Sequence, residues 1–150
     1  FSDETENASR TYASIAARYF DADYFTIAHS GRGICRNAGS NIPWELMPDL
    51  YQYTIDRDST TIWSVDYSEF RSDLTVIYLG ANDFSGWMMP DYKKFNKGYL
   101  RLLSEVKANY GEEHPILCMT PGPYEYLFTY VRDVVNNSNI DYQELIDVLQ

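Results

Sequence analysis

Residues 74–84 are Leu74-Thr-Val-Ile-Tyr-Leu-Gly-Ala-Asn-Asp-Phe84, an apolar, β-branched run that breaks at Gly80 and is followed at once by Asn82 and Asp83. A short continuous apolar run of this kind is typical of a strand covered on both faces of a parallel sheet. In open α/β sheets, ligands bind just beyond the carboxyl ends of such strands. The sequence therefore predicts an α/β fold with Asn82 and Asp83 at the ligand-binding edge.

The chemistry of asparagine suits such a position. Its side-chain amide donates N–H groups to an oxygen that becomes negative during a reaction, and it adds no titratable charge of its own. The alternative is that Asn82 and Asp83 satisfy loop amides or cap a helix, as short polar residues often do. The spacing of these residues alone favours that alternative.

A second segment points to the same edge. Tyr24-Phe-Thr-Ile-Ala-His29 predicts another strand, and Ser30-Gly-Arg-Gly33 follows it directly. Because glycine lets a backbone N–H approach a ligand closely, Gly31 is a candidate second donor beside the Asn82 amide. We expect the Gly31 N–H and the Asn82 side chain to share one cleft.

Four ordered segments carry a family resemblance: Ser30-Gly-Arg-Gly-Ile-Cys-Arg-Asn37, Met47-Pro-Asp-Leu-Tyr51, Gly80-Ala-Asn-Asp83 and Met119-Thr-Pro-Gly-Pro-Tyr124. They resemble the SGNH, or GDSL-type, hydrolases, whose third block is G-x-N-D, and most of all the carbohydrate acetyl esterases of carbohydrate esterase family two. The resemblance implies a flavodoxin-like three-layer α/β sandwich with a parallel sheet. It also implies that residues 1–150 are part of a single SGNH-hydrolase-like domain.

The function implied by this resemblance is removal of acetyl or similar acyl groups from carbohydrates of the xylan type by a Ser–His mechanism, without a cofactor. Gly31 and Asn82 would form the oxyanion hole, and Asp83 would support the loop. Two alternatives remain: a lipase or thioesterase of the same superfamily, and a non-catalytic flavodoxin-like module that binds sugar or flavin. The loop after residue 29 lacks the phosphate-cradling pattern that a flavin site favours.

Two blocks of the family do not occur in the sequence: the G-D-S motif with the nucleophilic serine and the D-x-x-H motif with the general base. Ser30 is a weak replacement because no strand-turn-helix elbow surrounds it, and neither His29 nor His114 has the far C-terminal position of the base. We therefore expect the stretch from Phe1 to Gln150 to be an excised middle of an esterase, with nucleophile and base outside it and no activity alone.

The family's strand order adds a structural expectation. Its first strand is central, between the strands predicted at 24–29 and 74–79, and would precede Phe1. We expect a slot there, seen as a gap or filled by another segment or a strand exchanged from another chain, and an isolated chain of poor stability.

Further candidates are aromatic and basic side chains in loops. Trp44 and Trp87 fall near the two donor segments, where an indole can stack on a sugar, although core packing is the commoner role of tryptophan. Arg36 and its neighbour Arg32 could hold a substrate hydroxyl, although loop arginines are more often solvated. The acylated carbohydrate is the partner that this interpretation implies.

Composition narrows the function classes. The chain has 150 residues, a net charge of −10 and a pI near 4.5, which disfavours nucleic acid and anionic membranes as partners. Cys35 and Cys118 have no metal-site spacing, and a disulfide between them stays open. The sequence shows no signal peptide and no run of about 20 apolar residues, which leaves the compartment unknown and is compatible with a secreted or periplasmic parent.

Helical periodicity completes the prediction. Further elements are an amphipathic helix with Tyr12, Ile15, Ala16 and Tyr19 on its apolar face, a short helix at 47–53, a helix that stops at Gly111, a strand at 115–119, and helical spacing at 126–134 and 142–149.

Overall fold

The computed structural model of the protein describes residues 7–39, 45–53, 58, 60, 71–86, 88–122 and 124–138. Within these ranges no helix is long and apolar enough to cross a membrane. The helices are α1 (Tyr12–Phe20), α2 (Met47–Leu50), α3 (Tyr92–Tyr110) and α4 (Glu125–Asn136); the strands are β1 (Thr75–Tyr78) and β2 (Ile116–Met119); short 3-10 turns span Ala8–Arg10 and Ala81–Phe84.

The two strands form a parallel pair. Thr75 lies opposite Ile116, and Tyr78 lies opposite Met119. Because parallel strands end at the same edge, the turn with Asn82 and Asp83 leaves the sheet beside the segment that follows β2. The predicted α/β fold with a parallel sheet is confirmed.

Helices α3 and α4 cover this sheet and supply most of the core. Asp91 caps α3 by accepting a hydrogen bond from the Lys94 N–H at 2.8 Å, and the helix stops at Gly111 as its sequence predicts. The apolar stripe of each helix is buried. The core cluster is Ile34, Ile77, Phe95, Tyr99, Leu102, Leu103, Cys118, Leu127, Val131, Val134 and Val135.

The prediction of a strand at residues 24–29 is wrong, because these residues are neither helix nor strand. A strand needs a neighbour for its backbone hydrogen bonds, and β2 is the only described strand that pairs with β1. Val76 of β1 is 41% exposed. The described part of the chain therefore has a small sheet with an open edge at β1, which is consistent with an α/β fold that lacks part of its sheet.

Helix α1 differs from expectation in the face it buries. Its apolar residues Tyr12 and Ile15 are more than half exposed and Tyr19 is 82% exposed, whereas Ser14 and Ala17 are buried. The Tyr12 ring meets the Tyr78 ring edge to face at 5.1 Å, so α1 contacts β1 through this ring pair. The helix predicted at 142–149 lies outside the described residues.

Gly98 lets α3 approach the loop at residues 31–37. A Cβ at this position would lie 2.7 Å from the Ile34 backbone oxygen, so α3 and the loop would have to separate. Alanine normally stabilises a helix interior relative to glycine by about 0.5–1 kcal/mol, but here we expect Gly98→Ala to lower the free energy of unfolding by about 1–3 kcal/mol. Urea unfolding measures the change. Ser104→Ala, at an exposed site of the same helix, is the control, and stabilisation by Gly98→Ala would contradict the close contact.

His114 lies at the opposite, amino-terminal edge of the sheet. One of its ring nitrogens shares a hydrogen bond of 2.8 Å with the Thr75 hydroxyl, and the Tyr110 ring stacks on it at 4.7 Å. Burial lowers the pKa of His114 below 6.5, and the charge of Asp73 acts in the opposite direction.

A lowered pKa in the folded state predicts how stability depends on pH. The contribution of His114 is complete above its unfolded pKa of 6.5 and is lost as pH falls through the folded pKa, because the unfolded chain takes the proton first. We expect the urea midpoint to fall between about pH 7.5 and about pH 5.5, and to fall less in His114→Gln. An equal fall in both proteins would contradict this assignment.

Candidate functional site

The site is built where β1 ends, from two loops that Asp83 joins. The Asp83 side chain is fully buried, and its carboxylate accepts hydrogen bonds from the backbone N–H groups of Ile34 at 2.8 Å, Cys35 at 2.7 Å and Arg36 at 2.9 Å. Hydrogen bonds to an ionised acceptor are shorter and stronger than neutral ones. The loop at 31–37 is therefore fixed against the turn at 81–84.

The Asn82 side chain reaches the same loop. Its Nδ2 donates a hydrogen bond to the Arg32 backbone oxygen at 2.7 Å. An asparagine amide is planar and has two N–H groups. The bond to the Arg32 oxygen orients the amide plane, and this orientation also fixes the direction of the second N–H. The structure thus brings Asn82 to the residue that follows Gly31.

Gly31 and Gly33 in this loop are glycines for different structural reasons. Gly31 has a φ of +78°, a backbone region that favours glycine, and a Cβ at this position would meet no atom within 4 Å. A Cβ at Gly33 would overlap the Arg36 backbone oxygen and lie 2.5 Å from Oδ2 of Asp83. Gly33 is therefore needed for the close approach of the loop to Asp83, while the space beside Gly31 is open.

Electrostatics make this junction a structural rather than a nucleophilic one. Burial raises the pKa of Asp83, and the hydrogen bonds from Cys35, Ile34 and Arg36 act in the opposite direction. Burial, followed by the charge of Asp83 and a side-chain hydrogen bond to it, raises the pKa of the Cys35 thiol to about 12. A thiol with so high a pKa stays protonated and is a poor nucleophile.

Two cysteines, one histidine and one serine lie near the site. Cys35 and Cys118 are both free thiols, which answers the question that their spacing left open. Ser30 is exposed and His29 is partly buried at the start of the loop. The described ranges hold no group of three His, Cys, Asp or Glu side chains that could bind a metal.

Arg36 binds backbone rather than standing free in solvent. Its Nη2 donates hydrogen bonds to the backbone oxygen of Asp83 and to that of Met88 at 2.8 Å. Its role as a ligand for substrate stays a prediction. The other candidates for substrate binding, Trp44 and Trp87, lie outside the described residues.

Sequence reasoning missed the partners of Asp83. Ile34, Cys35 and Arg36 contribute through backbone N–H groups, which no side-chain pattern reveals. The one available signal was the pair of glycines at 31 and 33, because glycine marks a backbone that approaches another group closely.

No protein-family profile matches the chain, but individual proteins and structures do. Over 143 residues, or 93% of its length, the chain is 36% identical to a cellulase/esterase, CelE, of Acetivibrio thermocellus. It is 28% identical over 112 residues to an acetylxylan esterase / glucomannan deacetylase of Cellvibrio japonicus. Its fold matches that of a family two carbohydrate esterase from Clostridium thermocellum, solved in complex with cellohexaose, with a TM-score of 0.80 and 36% identity over 93% of the chain.

The chain spans a minor part of each of these proteins. It covers 17% of CelE, 30% of the Cellvibrio esterase and 42% of the solved Clostridium chain. The matches relate the chain to proteins of one family over most of its own length.

Proposed function

Because this chain is related to the carbohydrate esterases of family two, we propose that the complete protein removes acetyl or similar acyl groups from carbohydrates of the xylan type. The observation that carries the proposal is the hydrogen bond from Asn82 to the Arg32 carbonyl. It fixes an amide donor beside the Gly31 loop, at the carboxyl edge of the parallel sheet, where α/β proteins bind ligands. We propose that this chain supplies the oxyanion hole.

In the proposed mechanism a serine Oγ attacks the ester carbonyl carbon while a histidine takes its proton. The carbonyl oxygen becomes an oxyanion, which accepts hydrogen bonds from the Gly31 N–H and the second N–H of Asn82. The ester C–O bond then breaks, and the sugar hydroxyl leaves with the proton from the histidine. Water attacks the acyl-serine and releases acetate. The serine and the histidine lie outside this chain in this proposal.

The remaining residues position these donors. Asp83 holds the loop at 31–37 in place through three backbone N–H groups, so its role is positional and it does not contact the reacting atoms. Residues 1–150 would form part of one SGNH-type domain, and Trp44 and Trp87 would be the platforms for the sugar. Binding residues disposed around one catalytic edge are typical of enzymes of this fold class.

The test is acetate release by the complete protein from acetylated xylan, with a long-chain acyl ester and an acyl thioester as comparison substrates. We expect acetylated xylan to give the highest kcat/KM, because the site is proposed to bind the sugar as well as the acyl group. A preference for the long-chain ester or the thioester would replace the proposal with a lipase or a thioesterase. Absence of hydrolysis of all three would contradict the enzyme assignment.

A further inference from the structure

The segment that follows the Asn82 turn combines a backbone fixed by hydrogen bonds with exposed apolar side chains. Met88 is 76% exposed and Met89 is 46% exposed. They stand a few residues after Asn82 in the sequence, between the 3-10 turn at 81–84 and the start of α3 at Tyr92. We refer to Met88 and Met89 together as the methionine rim.

Three hydrogen bonds fix the backbone around the methionine rim. The Arg36 guanidinium donates to the Met88 carbonyl at 2.8 Å and, on the other side, to the Asp83 carbonyl. The Tyr130 hydroxyl donates to the Pro90 carbonyl at 3.2 Å. The rim is thus tied through Arg36 to the residue next to Asn82, and through Tyr130 to the core-facing helix α4.

The chain passes close to the guanidinium between these two bonds. A Cβ at Gly86 would lie 3.4 Å from Nη2 of Arg36, so a side chain at this position would be in van der Waals contact with the guanidinium group. Both bonds come from one nitrogen, Nη2, whose two N–H groups lie in the fixed plane of the guanidinium, whereas a lysine ammonium is a point charge on a flexible stem. Arg36 therefore links the turn at 81–84, which contains Asn82, to the methionine rim.

We propose that the methionine rim is a specificity-determining surface for the carbohydrate part of the substrate and that Arg36 is its positioning residue. This inference rests on the proposed function. Pyranose rings present an apolar C–H face, and ligand sites combine apolar side chains with a few placed polar groups. Thioether side chains are flexible and polarizable, so they adapt to such a face. The two hydrogen bonds from Arg36 hold the backbone of the rim close to the turn that contains Asn82.

Asn82, the methionine rim and Arg36 have different roles in this proposal. Asn82 acts on the ester oxygen, which every acyl substrate has. Met88 and Met89 act on the sugar, which a small synthetic ester lacks. In this inference Arg36 acts through the carbonyls of Asp83 and Met88, in place of the direct contact with substrate that the sequence predicts.

The experiment measures sugar binding without turnover, so that it does not depend on hydrolysis. The chain has four methionines, whose isotope-labelled methyl groups give separate NMR signals: Met47 and Met119 serve as internal references, and Met47 is buried. The probe is xylotetraose without acetyl groups, added to the complete protein, so that no ester is present to be hydrolysed. We expect saturable shifts of the Met88 and Met89 methyl signals and no shift of the Met47 signal.

Three variants complete the test. Met88→Ala should weaken binding about fivefold through the loss of apolar contact. Arg36→Met should weaken it by a similar factor, and Arg36→Lys by less, because a lysine ammonium can still donate to a carbonyl at this site. An unchanged Met47 signal shows in each case that the fold is intact.

Several results would overturn the inference. They are the absence of sugar-dependent shifts at Met88 and Met89, equal shifts of all four methyl signals, or unchanged affinity in Met88→Ala. If the rim binds the sugar but the complete protein releases no acetate from acetylated xylan, the proposed enzymatic function fails while the rim assignment stands.

Discussion

Replacing Asn82 with alanine in the complete protein is expected to lower kcat for acetyl esters by about 10² to 10³ while KM changes little. The reason is that the proposed oxyanion exists only after the nucleophile has attacked, so its donor stabilises the transition state more than bound substrate. The bond from Asn82 to the Arg32 carbonyl, at 2.7 Å, orients the donor before the reaction begins. Initial rates with nitrophenyl acetate and with acetylated xylan measure the effect.

The matched control is Asn137→Ala. Asn137 is also an asparagine whose Nδ2 donates to a backbone oxygen, that of Asp133 at 2.7 Å, but it caps the exposed end of α4. We expect the control to leave kcat within about twofold, since surface substitutions have small effects. A rise in KM with unchanged kcat in Asn82→Ala would show that Asn82 binds substrate uniformly and is not an oxyanion donor.

Asp83→Ala is expected to produce a large loss of stability. The change leaves the buried N–H of Ile34 and the N–H groups of Cys35 and Arg36 without their acceptor. Each buried donor left unsatisfied costs about 1–3 kcal/mol, so we expect a loss of about 3 kcal/mol or more in the free energy of unfolding. Urea unfolding followed by circular dichroism measures it.

Asp91→Ala is the control for this prediction, because it removes the same side chain from an exposed helix cap. Its expected cost is about 1 kcal/mol, the usual value for an N-cap. Equal losses in the two variants would mean that the three hydrogen bonds to Asp83 contribute no more than a single cap, and the account of the loop would be wrong.

The parts of the fold that the sequence predicts correctly are those with local causes. The strand before Gly80 is a continuous β-branched run, and α3 has its own cap at Asp91, a regular apolar stripe and a stop at Gly111. The parallel arrangement of β1 and β2 follows from the helix between them. Neighbours in sequence determine the strand and the helix, and the helical connection determines the direction of the pairing.

The errors arise where contacts with distant parts of the chain determine the local structure. Residues 24–29 have a strand-like composition, but the backbone pairing that makes a strand comes from another segment. The exposed face of α1 has the same origin, because periodicity identifies an apolar face without identifying what covers it. The site shows both cases: Asn82 and Asp83 are predicted from their place after β1, whereas the hydrogen bonds that Asp83 accepts join residues 47 to 49 positions apart.

We propose that this chain carries oxyanion donors whose nucleophile and base lie elsewhere in the complete protein. The most direct measurement is hydrolysis of nitrophenyl acetate by the 150-residue chain alone, beside the complete protein. The account predicts turnover by the complete protein and a rate at background for the chain, with no labelling of the chain by active-site serine probes, because an oxyanion hole without a nucleophile retains only residual catalysis. Turnover by the chain alone that Ser30→Ala abolishes would contradict it.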